Sequence, residues 1–302
     1  MTTRKNNAPK FRNSGFAIRW HQGRWAEEKV YESINSTGTL VALYYGRSGV
    51  GPSDKSKVSE YWQEYKSIEK YGKRPDILVF KREVYEDLKN ELPEDLTVVP
   101  EDDIEDIVKK SLGGIEVEMS MWISSKMPDY GKPITKKNMT LPTIWIKVED
   151  LPGLVQWKEH YNKPIYSVQV FLDQAFMVSF DWVLDTLNNY GVPILNDTKL
   201  RELFQREKGK RNGVLSQLWK NKGILLTVQK YGDRPADSSE SLKAVLRVAY
   251  SSGVKFGVFT KKPQFKAGII EQSNGQIIPF VKPVGGILKM TEEAEKVFLG
   301  CG

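Results

Sequence analysis

Apolar and polar positions alternate along the chain in two periods, one helical and one extended. Helical spacing from Gly15 to about Ser36 sets Val30, Tyr31 and Ile34 on one face, and Gly38 follows as a stop. Thr39–Tyr45 is β-branched and aromatic, reads as a strand, and runs into the Gly-rich loop Gly46–Pro52. Lys57–Lys70 carries Val58, Tyr61, Trp62, Tyr65 and Ile68 at helical spacing. Pro75–Phe80 is a short apolar strand opened by proline, where a missing N–H is tolerated. The pattern then predicts helices over Arg82–Leu92, Glu101–Ser111, Glu149–Tyr161 and Ser179–Asn189. Strands are expected over Ile115–Ser120, Thr143–Val148 and Ile165–Phe171. Elements interleaved in this order predict an α/β (α+β) layered core, a central mixed sheet flanked by helices.

After Pro193 the texture changes. Lys199–Lys222 holds eight basic residues against Glu202 and Glu207, with Phe204, Leu215, Leu218 and Trp219 as apolar anchors. From Ile224 to Leu288 short strands alternate with Gly and Pro turns, interrupted by a helix expected at Ser239–Tyr250. A boundary near residue 191 gives a disordered basic arm over 1–14, a core over 15–190 and a basic region over 191–302. That region is either separate or part of the same domain.

Composition narrows the function classes. With 40 % hydrophobic and 27 % charged residues in 302, the chain has the profile of a globular protein. Its longest apolar runs fall far short of the ~20 residues that span a bilayer. No apolar stretch follows the basic start, which argues against a secretory signal and predicts a cytoplasmic protein without membrane association. A single cysteine, Cys301, excludes a disulfide framework, and two histidines, His21 and His160, exclude a His-rich metal centre.

Charge is unevenly spread. The net is +7 overall, but −3 over residues 1–198 and +10 over residues 199–302. Such asymmetry fits a polyanion-binding surface beside a site that gathers carboxylates, and equally a solvated basic face. The arm, with Arg4, Lys5, Lys10 and Arg12 and no acids, suits contact with a phosphate backbone. The Gly46–Pro52 loop is not a nucleotide cradle, because Pro52 stands where the phosphate-binding lysine is required.

The sharper signal is a pair of segments, Arg74–Phe80 and Ile115–Ser120. In a strand, residues two apart point to one face, so Glu116 and Glu118 project together while Ile115, Val117 and Met119 point oppositely. Adjacent carboxylates repel unless a proton or cation lies between them, and a hard divalent ion such as Mg²⁺ prefers these ligands. With Asp76 at the end of a neighbouring strand, three carboxylates converge on one ion. The alternative is that Glu116 and Glu118 form the solvent face of a half-buried strand.

Pro75-Asp76 followed by Glu116-Val117-Glu118 resembles the motif of type II restriction endonucleases of the PD-(D/E)xK nuclease superfamily. The last motif position is commonly lysine and is Glu118 here. The spacing between the motif halves requires an insertion, for which the helices at 82–92 and 101–111 serve. Gly23–Glu27, followed by Val30 and Ile34, resembles the first core helix of the superfamily, whose Glu often reaches the metal. Thr143–Asp150, Trp157 and Pro164–Asp173 resemble the strand–helix–strand that completes that core. The aromatic helix leading into Arg74-Pro75-Asp76 is similar to that of hexanucleotide-cutting enzymes. Together these features cover roughly residues 23–190.

The resemblance implies Mg²⁺-dependent hydrolysis of double-stranded DNA at a short palindrome, with the ion held by Asp76, Glu116, the Val117 carbonyl and Glu118. Glu27 and Lys126 join Asp76, Glu116 and Glu118 as catalytic candidates, Lys126 replacing the missing motif lysine. Arg47, Gln205, Arg206, Lys208, Lys210, Arg211 and Asn212 are the expected DNA contacts, with side-chain chemistry suited to phosphates and base edges. It further implies a homodimer, to match a two-fold target, and a companion DNA methyltransferase. A repair or junction-resolving nuclease of the same superfamily and a DNA-binding protein without catalysis are the alternatives. A glycosidase fits poorly, since the basic character has no role there.

Overall fold

The computed structural model describes residues 14–47, 66–207, 210, 212–228, 244–271 and 276–300. The chain opens with α1 (Ser14–Asn35), β1 (Leu40–Tyr44), β2 (Ile77–Lys81), α2 (Arg82–Leu88), α3 (Glu105–Lys109) and β3 (Gly113–Met119). It continues with β4 (Thr143–Lys147), α4 (Leu151–Tyr161), β5 (Ile165–Val170), β6 (Gln174–Ser179) and α5 (Phe180–Asn189). The basic stretch forms α6 (Asp197–Glu207) and α7 (Val214–Lys222). The chain ends with β7 (Ile224–Val228), β8 (Ala244–Ala249), β9 (Val254–Lys261), β10 (Gln264–Glu271), β11 (Ile277–Val284), β12 (Ile287–Met290) and α8 (Glu292–Leu299).

A seven-stranded mixed sheet in the order β1-β2-β3-β5-β6-β9-β12 forms the centre. β1, β2 and β3 run antiparallel in turn, and β5 joins β3 in parallel after the crossover through α4. Two smaller sheets are β4-β8-β7 and the ribbon β10-β11. Strands from both sides of residue 191 therefore share two of the sheets.

Alternation along the strands decides what each face of the central sheet buries. Val41 and Leu43 of β1, with Leu78 and Phe80 of β2, pack with Leu154 and Trp157 of α4, Val183 of α5 and the apolar face of the β4-β8-β7 sheet. Leu40, Ala42, Ile77, Val79, Ile115 and Val117 face the other way, against Trp25, Ala26, Val30 and Ile34 of α1 and Phe298 of α8. Helices thus cover both faces, the layered arrangement the strand pattern predicts. The connection from β2 to β3 holds α2, two 3₁₀ turns and α3, which fills the long spacing between the two halves of the motif.

One expectation is corrected. The helix over Ser239–Tyr250 is not formed in its described part: Ala244–Ala249 is β8, paired with β4 on one side and β7 on the other. A central strand buried on both faces reads as a continuous apolar run, which helical spacing mimics. β6 and α8 add elements that the pattern did not separate. Of the Lys57–Lys70 helix, Lys66–Ile68 is helical and residues 69–70 form a turn; residues 57–65, residues 1–13 of the arm and 48–52 of the Gly46–Pro52 loop lie outside the described residues. Among the described residues no helix is long and apolar enough to cross a membrane.

Candidate active site

Asp76 stands immediately before β2, held between two glycines. A Cβ on Gly46 would lie 2.7 Å from the Asp76 Cα, and one on Gly114 2.4 Å from the Pro75 Cγ. Only glycine permits these approaches, so Pro75-Asp76 is clamped against β3. The Tyr45 and Gly46 N–H groups donate to the Asp76 carbonyl at 3.0 and 3.1 Å. Its carboxylate Oδ2 accepts the Val117 N–H at 2.8 Å, which locks the side chain onto β3.

Behind it Arg74 is fully buried and anchors the same stretch. Its guanidinium donates to Glu101 through Nε, to the Leu96 carbonyl at 3.1 Å and to the Val99 carbonyl at 2.8 Å. The Tyr45 and Tyr161 hydroxyls also donate to Glu101, and the Trp157 Nε1–H donates to the Tyr45 hydroxyl. This buried, hydrogen-bonded pair fixes the backbone that presents Lys73 and Asp76.

A cleft of about 500 Å³ opens here, lined by Arg19, Glu27, Lys73, Asp76, Glu116, Glu118, Lys147 and Glu149 among others. Strand geometry puts Glu116 and Glu118 on one side of β3 as their spacing predicts. Each meets a lysine: Lys73 Nζ lies 2.7 Å from Glu116 Oε2 and 3.2 Å from Asp150, and Lys147 Nζ lies 2.5 Å from Glu118. Glu116 Oε1 is buried with no hydrogen-bond partner among the described residues.

The electrostatics follow from burial and an excess of acid. Burial pushes the Glu116 carboxyl well above the usual range; Lys73 pulls it down, and Asp76 and Asp150 push it up again. Burial opposes the Lys73 ammonium, but Glu116, Asp150 and Asp76 hold its proton well above the ordinary lysine value. Glu118 is likewise raised by burial against the pull of Lys147. On Lys147 burial is outweighed by the Glu118 carboxylate, which raises it. The excess of carboxylate that raises Glu116 also favours a cation beside it.

The expected convergence of three carboxylates is corrected: among the described residues no group of three or more metal-binding side chains is placed to hold one ion. Residues two apart on a strand are separated by roughly 7 Å, and each glutamate is drawn to its own lysine. The pair Asp76 and Glu116 remains. It offers a buried unpaired oxygen and excess negative charge, and Mg²⁺ needs only one or two carboxylates. These residues fit such an ion.

Lys126 is also corrected. It is exposed on a 3₁₀ turn, Ser124–Lys126, and does not line the cleft. The cleft's positive charge comes instead from Arg19, Lys73 and Lys147. Lys73 could have been found from its position three residues before Asp76, and Lys147 from the alternation of β4. Glu27 of α1 lines the cleft as expected. Arg47 is half-buried after Gly46, while Gln205, Arg206, Lys210 and Asn212 are exposed outside the cleft lining. Lys208 and Arg211 lie outside the described residues.

Residues 2–138, less than half of the chain, match the model of the AccI restriction endonuclease family. The stretch holds α1 and β1–β3, and with them Glu27, Asp76, Glu116 and Glu118. No curated protein and no solved structure matches the chain. The family match supports a type II restriction endonuclease, and so an endodeoxyribonuclease that binds DNA.

Proposed function

We propose that this protein is a Mg²⁺-dependent type II restriction endonuclease of the PD-(D/E)xK superfamily that cuts double-stranded DNA at a short palindrome. The observation that carries the reading is the meeting of Asp76, Glu116 and Glu118 in one cleft, within the stretch that matches a restriction endonuclease family. The order β1-β2-β3-β5, with the motif halves at β2 and β3 and a helical crossover into β5, supports a restriction-endonuclease-like core.

Asp76, Glu116 and the Val117 carbonyl would hold the ion. When bound, Mg²⁺ supplies Lewis-acid polarisation of the scissile phosphate. The Val117 N–H and the two glycine approaches keep the Asp76 carboxylate in place before substrate arrives, which removes reorganisation from the reaction. Lys73 and Lys147 offset the cleft's acidity, so that an anionic phosphodiester is admitted. Glu118, paired with Lys147, would orient the attacking water, with the 3′ oxygen departing to leave a 5′ phosphate. The basic region beyond residue 191 then serves recognition. A homodimer, a cytoplasmic location and a companion methyltransferase complete the reading.

Incubation with phage DNA and Mg²⁺ tests it. Discrete bands that vanish with Asp76→Ala are expected. A smear, cutting only at branched structures, or uncut DNA overturns the reading in favour of the alternatives.

A further inference from the structure

We infer that Arg247 of β8 is a phosphate contact for the DNA strand that is cut, close to the scissile position. This deepens the nuclease reading above and rests on it. The β4-β8-β7 sheet turns Ile144, Ile146, Leu246 and Val248 into the core. Residues two apart share a face, and so do residues directly opposed across a strand pair. Trp145 opposite Arg247, and Lys147 opposite Val245, therefore lie on the face turned away from the core. Trp145, Lys147 and Val245 line the cleft, and Arg247 continues the same face from its edge. Arg247 is the diagonal neighbour of Lys147 across the pair, about 7–8 Å away.

This face is tied to the motif strand at two points. Lys147 Nζ meets Glu118, and the Trp145 N–H donates to Gln169 Oε1 at 3.1 Å. Gln169 of β5 stands opposite Glu118 in the parallel register. The Thr143 hydroxyl accepts from the Trp145 indole N–H at 3.0 Å and from Arg247 Nε at 3.3 Å, which sets the two side chains beside each other. Arg247 is thereby held next to the cleft before any ligand arrives.

What the guanidinium lacks is an anion. β4, β7 and β8 carry no acidic residue. Lys73 and Lys147 each meet a carboxylate, whereas none among the described residues pairs with Arg247. Burial pulls its pKa down, and no acid raises it again. The guanidinium carbon lies 6.0 Å from the Trp145 ring centroid, the outer limit of a cation–π contact, so the ring supplies little of the missing charge. A half-buried cation without a countercharge costs stability. Its planar fork suits a phosphate, and a phosphodiester strand running through the cleft brings one to it.

The test measures affinity of the full chain, with Ca²⁺ in place of Mg²⁺, for a duplex that it cleaves and for a scrambled duplex, each against salt. Arg247→Met should weaken binding to both about tenfold and lower the salt slope by about one unit. Its Tm should stay at or above the wild-type value, because a desolvated charge is removed. Arg247→Lys, which keeps the charge, should keep the wild-type slope. Wild-type affinity and slope in the Met variant overturn the inference and leave the nuclease reading intact. A Met variant that melts well below wild type also overturns it, since the guanidinium then serves the fold. Weaker binding confined to the cleaved sequence, at unchanged slope, would make Arg247 a base reader and overturn the phosphate assignment. Absence of duplex binding and cleavage by the wild type overturns the nuclease reading and this contact together.

Discussion

Lys73 Nζ sits 2.7 Å from Glu116 Oε2, on the side of the carboxylate away from its buried, unpaired Oε1. One oxygen is neutralised by the protein's own ammonium, and the other has no partner among the described residues. Lys73 comes from the turn before β2 and Glu116 from β3, so the pairing also ties the two halves of the motif together. The cleft is thereby held in a charged, assembled form before substrate or ion arrives.

Asp76→Ala and Glu116→Gln should each reduce cleavage to below a few per cent of wild type while leaving duplex affinity within about threefold. Both groups face the cleft and neither belongs to the basic surfaces. Glu116→Gln should also fold well, since an amide still accepts from Lys73 and needs no countercharge for its buried oxygen. Single-turnover cleavage and gel-shift titration on the same duplex check the pair. Retained cutting removes these residues from the chemistry.

Much of this was legible in the sequence, and for identifiable reasons. Pro75-Asp76 and the alternation Ile115-Glu116-Val117-Glu118 are local patterns whose facing follows from the strand period alone, and the structure brings them together in the cleft. Asp150 was not legible as a site residue, because what brings it to Lys73 is the folding of the segment after β4 onto the stretch before β2. Arg74 and Glu101 were hidden in the same way. A buried charge looks like any surface charge until its partner, 27 residues away, is known. β8 failed as a helix because burial on both faces erased its alternation.

Glu118→Lys should not behave as a return to the commoner motif. The new ammonium would face Lys147, whose Nζ now lies 2.5 Å from Glu118, and would add two charge units beside the ion-binding pair. Cleavage should fall by about a hundredfold or more, and Tm should drop. Adding Lys147→Glu restores an ion pair, so Tm should recover while cleavage does not, because the carboxylate has then moved from β3 to β4. An active Glu118→Lys enzyme with unchanged Mg²⁺ dependence would show that Glu118 has no charge-dependent role.

Glu101→Gln should be among the most destabilising single substitutions outside the apolar core. Arg74 and Glu101 are 0 % and 1 % exposed, and the amide would leave a buried guanidinium without its countercharge. Breaking such a pair from one side costs about 3–5 kcal/mol. Urea unfolding measures this directly. Replacing both partners, as Arg74→Met/Glu101→Leu, should recover part of the loss, because no unpaired charge remains. If the single variant unfolds like wild type, the network does not anchor the stretch before Asp76.

Acid sensitivity should come in part from Asp173, at the turn between β5 and β6. Its carboxylate accepts the Ser124 N–H at 2.7 Å, the Ser124 hydroxyl at 2.9 Å and the Ser125 N–H at 3.0 Å. Burial pushes this carboxyl up, but the hydrogen bonds from Ser125 and Ser124 outweigh it and hold it below its ordinary value of 3.8. The folded state thus gives up this proton more readily than the unfolded state. The stabilisation is complete above that ordinary value and is lost as pH falls through the depressed folded one. Asp173→Asn should therefore cost about 1–2 kcal/mol near neutral pH, and the gap to wild type should narrow below about pH 4. The variant should also free the turn that carries Lys126, while cleavage at neutral pH changes little because that turn lies outside the cleft lining. Tm measured for both proteins across this range decides. A gap that stays constant into acid would mean that these hydrogen bonds do not depend on the carboxylate's charge.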